Sequence, residues 1–232
     1  MTSFEEIDQL LEKGEGKQAY ELAKKLLEQD NENVELLWRF AKACHTYGST
    51  LGKNDANKKK ELLMEGRDAG AAAYKLDDKN FNVLKWAAVL SGGVSDFLGT
   101  KERIQEGYKF KEYLDKALVM NPTEYSLLHM RGRFSYSVAN LSWLERKAAS
   151  TFFAEPPTAT IDEALRDFEE SERLKPNQWM ENLLYLGRCY IAKGNKESAV
   201  KYLKVADGLE VSDEAEKDMK SEVRKLLEKH SK

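Results

Sequence analysis

The stretch LLYLGRCYIAKGNKESAVKYLKVA, residues 183–206, decides the fold. Its first half carries Leu186-Gly187, then Tyr190, then Gly194; its second half carries Ala199, Leu203 and Ala206. Residues three and four apart share one face of a helix, and Gly194 is a turn signal between two such faces. Small residues at these positions let two antiparallel helices approach closely, while a larger one fills the remaining gap. The stretch predicts a helix hairpin.

Copies of both halves recur along the chain. The second half returns as Ala164/Phe168/Ser171/Pro176, Ala19/Ala23/Leu26/Asn31, Gly66/Gly70/Ala73/Asp78 and Phe110/Leu114/Ala117/Pro122. The first half returns as LLHMRGRFSYSVA (127–139), VLKWAAVLSGG (83–93) and LLWRFAKACHTYG (36–48), aligned through Gly132, Ala88 and Ala41. The L-G-x2-Y element and the spacing of small residues are those of tetratricopeptide units. The anchors Leu26, Ala73, Ala117, Ser171 and Ala206 lie 47, 44, 54 and 35 residues apart, against 34 for a plain repeat. The excess falls mostly between the helices of a unit, in STLGKNDANKKK (49–60) and GGVSDFLGTKERIQ (92–105). The expectation is an all-α, tetratricopeptide-like helix-hairpin solenoid forming one domain over 1–232. Its second helices are expected near 16–29, 58–76, 101–120, 160–175 and 195–208.

The widest gap holds LSWLERKAASTFFAEPPT (141–158). Ser142 and Glu145 have capping-box spacing, so a helix starts there. Pro156-Pro157 cannot continue it, and Thr160 with Glu163 caps the next helix. This predicts an inserted helix over 142–153, with Leu144, Ala148 and Phe152 on one face and Trp143 and Phe153 beside it. Burial of Trp143 and Phe152 is expected, with a cost of about 3–5 kcal/mol for Trp143→Ala. The tail, SDEAEKDMKSEVRKLLEKHSK (212–232), has acids in its first turn and cations in its last, matching the helix dipole. It predicts a closing helix over 212–230 that covers the last repeat.

Composition narrows the function. The 37 basic and 40 acidic residues are well mixed and leave a net charge of −3, which argues against a nucleic-acid binder. No apolar run approaches the ~20 residues needed to span a bilayer, and the N-terminal MTSFEEIDQLLEKGEG is acidic and amphipathic, unlike a signal or transit peptide. Cys44 and Cys189 stand far apart in sequence, as buried thiols in a reducing compartment do. His45, His129 and His230 have no metal-ligand spacing. SGGVSDFLG (91–99) is neither a dinucleotide nor a Walker A loop, and no G-x-S-x-G elbow occurs. The expectation is a soluble, cytoplasmic, non-enzymatic protein without cofactor or metal.

A hairpin array binds partners through the face lined by its first helices. Helical projection places Trp38, Lys42 and His45 on that face, then Lys85 and Val89, then His129, Arg133 and Tyr136, and last Leu184 and Arg188. Lys42, Arg133 and Arg188 occupy equivalent places in their repeats. Two readings stand side by side: a basic, partly aromatic groove for an acidic peptide or anionic phospholipid, or solvated cations paired to Glu35 or Glu181. The run Lys58-Lys59-Lys60 reads as a solvated helix face.

With these residues laid out, the chain resembles the regulator of microtubule dynamics family. The resemblance rests on LSWLERKAASTFFAEPPTATIDEAL (141–165), KKKELLMEGRDAGAAAYKLD (58–77), GYKFKEYLDKALVMNP (107–122) and NLLYLGRCYIAKGN (182–195), and covers roughly residues 30–230. It implies a cytosolic protein with tubulin or microtubules as partner, placed at the cytoskeleton, spindle and spindle poles and affecting microtubule dynamics and chromosome segregation. For related members it also implies lipid binding by the repeat domain. Arg131 departs from the repeat pattern, because its place in a first helix is ordinarily apolar.

Overall fold

The computed structural model describes residues 3–152, 158–211 and 214–231. Among the described residues the regular structure is helical and contains no strand. The helices are α1 (Ser3–Glu12), α2 (Gly16–Leu27), α3 (Val34–Ser49), α4 (Ala56–Leu76), α5 (Phe81–Gly93), α6 (Thr100–Met120), α7 (Tyr125–Ala139), α8 (Trp143–Phe152), α9 (Ile161–Leu174), α10 (Met180–Ala192), α11 (Lys196–Gly208) and α12 (Glu214–His230). The chain divides into two compact units, Met1–Met120 and Asn121–Lys232.

In the first unit α1 pairs with α2, α3 with α4 and α5 with α6, and each hairpin packs on the next through α2–α3, α4–α5 and α3–α5 contacts. Its core runs from Ile7 and Leu11 through Ala19, Ala23, Trp38, Phe40, Cys44, Leu62 and Ala73 to Leu90 and Val94. The helix starts follow local chemistry: Asn33 accepts from Leu36 N–H at the head of α3, and Asn80 accepts from Asn82 N–H at the head of α5, as N-caps do. Both α4 and α6 run for 21 residues, which takes up much of the excess spacing between anchors.

The second unit repeats the scheme. Here α7 pairs with α9, α10 with α11, and α9 packs on α10. The Leu203 side chain fills the notch at Gly187, and the Phe168 ring fills the one at Gly132. A Cβ at Gly187 would lie 2.6 Å from Leu203 Cγ, and one at Gly132 would lie 2.8 Å from Phe168 Cε1. Gly194 turns between α10 and α11 at φ +75°, a conformation that glycine adopts without strain. Helix α12 closes the stack by packing on α11 and α10. Its Val223 is fully buried in the second core, with Met219, Leu226 and Leu227 around it.

Arg131 finds its reason in this packing. It forks onto Asp167 of α9, with Nε 2.8 Å from Oδ2 and Nη2 2.7 Å from Oδ1. Asp167 is itself buried, so the arginine supplies the counter-charge that a buried carboxylate requires.

The inserted helix departs from expectation. It starts at the Ser142–Glu145 box, where Ser142 N–H donates to Glu145 Oε2 at 2.8 Å and Glu145 N–H to Ser142 Oγ at 3.3 Å. Yet Trp143 is 73% exposed and Leu144 68%, while Ala149 is buried. The expected burial of Trp143 is therefore wrong. Arg146 donates to the carbonyls of Val138, Ala139 and Leu141 at the end of α7, which turns Ala149 inward and the first-turn apolar pair outward. Lys147 lies over the Trp143 ring at 4.9 Å. The side chains of Ala148 and Phe152, together with Phe153 and Pro156-Pro157, lie outside the described residues.

Two stability predictions follow from these contacts, both read by chemical denaturation. Gly132→Ala and Gly187→Ala should each cost about 1–3 kcal/mol by overpacking. Gly208→Ala has nothing within 4 Å of the new methyl and should be neutral or stabilising by up to ~1 kcal/mol. Trp143→Ala should change stability by less than ~0.5 kcal/mol, as an exposed substitution does.

Candidate partner-binding face

On the first unit, α3 and α5 bring together two of the expected residues and exclude a third. Trp38 is only 6% exposed. Its indole N–H donates to Glu35 Oε2 at 3.0 Å, and the Arg39 guanidinium covers its ring at 4.1 Å. Arg39 is held by Asp8 at 2.8 Å and by Glu35 at 2.7 Å. Burial raises the Glu35 carboxyl, but hydrogen bonds from Arg39, Trp38 and Asn80 and the charge of Arg39 bring it below its usual range. Trp38 is thus the clamped wall of the face and offers no free edge to a partner.

Lys42 and His45 meet around Trp86 of α5. The Lys42 ammonium is 5.8 Å from the centre of the Trp86 ring, and the His45 ring is 5.7 Å from it. All three are half-buried, as are Lys85 and Val89 beside them on α5. Trp86 is absent from the sequence-based site because the projection of α5 centred on its neighbours Lys85 and Val89. The aromatic residue in VLKWAAVL was the available signal.

On the second unit, the expected residues form a different arrangement. His129 is 1% exposed and lies among rings, 4.0 Å from Trp179 and 5.4 Å from Phe168. The Asn182 amide donates to Phe168 O at 3.0 Å, which turns Asn182 Oδ1 toward His129 Nδ1 at 2.9 Å. The hydrogen bond therefore assigns the proton to Nδ1. Nε2 lies 3.3 Å from Glu181 Oε2. His129 is a core histidine joining α7 to α10, closed to a partner.

Arg133, Tyr136 and Arg188 gather at Tyr185. Arg133 lies 5.6 Å and Arg188 4.7 Å from the Tyr185 ring centre, and Tyr136 meets that ring edge-on at 5.4 Å. Both guanidinium groups also carry acids: Arg133 pairs with Glu181 at 2.9 Å, and Arg188 with Glu222 of α12 at 2.5 Å. Burial raises the Glu181 carboxyl, but His129, Arg133 and Arg188 together hold it below its usual range. Leu184 is buried in the core. Glu181 was legible as a possible counter-ion. Glu222 was not, because nothing in the repeat pattern registers α12 against α10.

Among the described residues no group of three His, Cys, Asp or Glu side chains could hold a metal ion, and no helix is long and apolar enough to cross a membrane. Both cysteines are buried free thiols. Burial pushes the Cys189 thiol up to about 12 and raises Cys44 as well, so neither is a thiolate near neutral pH.

The family model for regulator of microtubule dynamics protein 1-3 matches residues 3–231. The chain belongs to this family. It is 42% identical over 229 residues to regulator of microtubule dynamics protein 1 of Caenorhabditis elegans, covering 99% of this chain and 100% of that one. It is 34% identical to the Mus musculus protein of the same name, covering 95% of this chain and 71% of that one. Among solved structures it is similar to a thermophilic TPR protein of Thermus thermophilus, with a TM-score of 0.58, 14% identity and 97% coverage of both chains. It is also similar to the MamA protein, with a TM-score of 0.55, 19% identity and coverage of 95% and 92%. At these identities the structural likeness establishes the tetratricopeptide-like fold alone.

The site has a pH signature. Burial, and after it the charge of Lys59, holds His45 below its ordinary value of 6.5. The folded chain therefore resists a proton that the unfolded chain takes up. Linkage makes stability full above about 6.5 and lets it fall as pH drops toward the folded value. Urea unfolding at about pH 7.5 and 5.5 should show this loss, and His45→Gln should make it smaller. Glu181 contributes in the same direction only around and below the carboxylate range of ~4.3, outside that window.

Proposed function

We propose that the chain is a non-enzymatic interaction module that binds microtubules, working in the cytoplasm at the cytoskeleton, spindle and spindle poles and influencing chromosome segregation. Membership of the regulator of microtubule dynamics family supports the reading at its coarse level. The observation that carries the binding step is the face of α3 and α5, where Lys42, His45 and Trp86 present a cation and two rings. Tubulin's surface and tails are acidic, so a local basic face gives a physical route to binding despite a net charge of −3; complementary charge also speeds encounter.

Phospholipid binding is the competing reading, and a lipid carrier needs a deep apolar cavity. A cleft of about 510 Å³ in the second unit is lined by Pro122, Leu128, Arg131, Arg166, Asp167 and Glu169, among others. Its walls mix arginines and acids with Pro122 and Leu128, unlike the uniformly apolar cavity that encloses an acyl chain. The third reading, a generic acidic-peptide-docking module, uses the same face and differs from the microtubule reading in its partner.

The test is co-sedimentation of the purified chain with polymerised tubulin. The bound fraction should be substantial at low ionic strength and fall steeply as salt shortens the Debye length to ~8 Å. Proteolytic removal of the acidic tubulin tails should lower it further. Absence of the chain from the pellet at low salt, with phospholipid recovered from the purified protein by mass spectrometry, would favour the lipid reading instead.

A further inference from the structure

The cations of this chain differ in whether an acid already neutralises them. Arg39 carries Asp8 and Glu35, Arg133 carries Glu181, and Arg188 carries Glu222. On the outer side of the first unit, Lys24 carries Glu65 and Lys116 carries Asp78. Lys42 and Lys59 are different. Among the described residues neither has a carboxylate within ion-pair range, although both are half-buried.

Their surroundings are of one kind. The Lys42 ammonium faces the Trp86 ring. The Lys59 stem runs beside Gly48 at the end of α3, where a Cβ would lie 3.8 Å from Lys59 Cγ. Its charge is felt at His45, which lies against Trp86. Lys58 and Lys60, its chain neighbours, point elsewhere: both are exposed, and Lys58 pairs with Glu61 at 3.3 Å. Thus the triple-lysine run sets one member, Lys59, against the end of α3, one helical turn beyond His45.

We propose that Lys42, His45, Lys59 and Trp86 form the docking site for a glutamate-rich peptide segment of a partner protein. Among the described residues neither lysine has a carboxylate partner, and both side chains are half-buried, so an incoming carboxylate pairs with them without displacing an acid. Trp86 offers an apolar surface for glutamate methylenes. His45, whose ring lies against Trp86, adds a hydrogen-bonding edge beside the two lysines. The proposal deepens the microtubule reading by naming the surface and the peptide chemistry, and rests on that reading only for the identity of the natural partner.

The test uses the full chain and a fluorescein-labelled dodecapeptide of glutamate and glycine, with its glutamine counterpart as control, read by anisotropy at low ionic strength. The Lys42→Gln/Lys59→Gln double variant should bind the glutamate peptide at least about tenfold more weakly. Lys58→Gln/Lys60→Gln removes the same net charge from α4 alone and should change binding less than about twofold. Bound peptide should also raise the pKa of His45, followed by its ring resonances, which His45→Gln assigns. Thermal melts establish that each variant folds. Equal losses in the two double variants, an unchanged Lys42→Gln/Lys59→Gln variant, or no preference of the native chain for glutamate over glutamine overturns the proposal. Microtubule co-sedimentation in parallel separates the two readings: peptide binding through this site without microtubule binding upholds the site and defeats the microtubule reading.

Discussion

The structure depends on how closely two helices of one hairpin can approach. Gly132 under Phe168 and Gly187 under Leu203 are the clearest cases, since a single added carbon would meet the facing side chain at 2.6–2.8 Å. In the first unit Gly66 plays the same part against Cys44 within its hairpin, and Gly66 against Leu90 and Gly70 against Ala87 let α4 approach α5 of the next hairpin as closely. Close approach lets the large residue of one helix fill the notch of the other, which is how helical interiors reach crystal-like density. It also places first helices side by side, so that α3 can meet α5 and α7 can meet α10. The candidate face of α3 and α5 is a by-product of that stacking.

Because this constraint acts through residues three and four apart, it leaves a trace that sequence can show. Ala164/Phe168 and Ala199/Leu203 are spaced as the helix demands, and Gly132 and Gly187 identify their partners by alignment alone. The capping box at Ser142 and Glu145 is equally local and equally legible. What the pattern does not encode is orientation set from a distance. The apolar side chains of α8 suggested burial of Trp143, yet three hydrogen bonds from Arg146 to the end of α7 determine which side of that short helix faces inward.

The candidate site was legible in the same uneven way. Helical projection identified Lys42 and His45, whose positions depend on one helix. It also selected Trp38 and His129, which lie deeper because neighbouring residues close over them: Arg39 over one, Trp179 and Asn182 around the other. Trp86 and Lys59 come from helices other than α3, and their contribution depends on how α4 and α5 rotate against it. Periodicity specifies which side of a helix is buried but says little about that rotation.

Electrostatics in this chain is governed by pairing more than by net charge. Between successive second helices of the first unit a polar ladder repeats. Tyr20 donates to Glu65 at 2.7 Å and Lys24 to Tyr20 at 2.7 Å; one hairpin further, Tyr74 donates to Glu112, and Lys116 reaches both Tyr74 and Asp78. The ladder gives each lysine a carboxylate partner and so reduces the field that side presents to a distant acid. Exposed pairs of this kind add little stability, but they do shape where uncompensated positive potential survives. In the first unit the half-buried Lys42 and Lys59 carry no such acid among the described residues, and Lys42 lies over the Trp86 ring. A chain with more acids than bases can therefore hold a localised cationic face, because the surplus acid is distributed to the cations of the other faces.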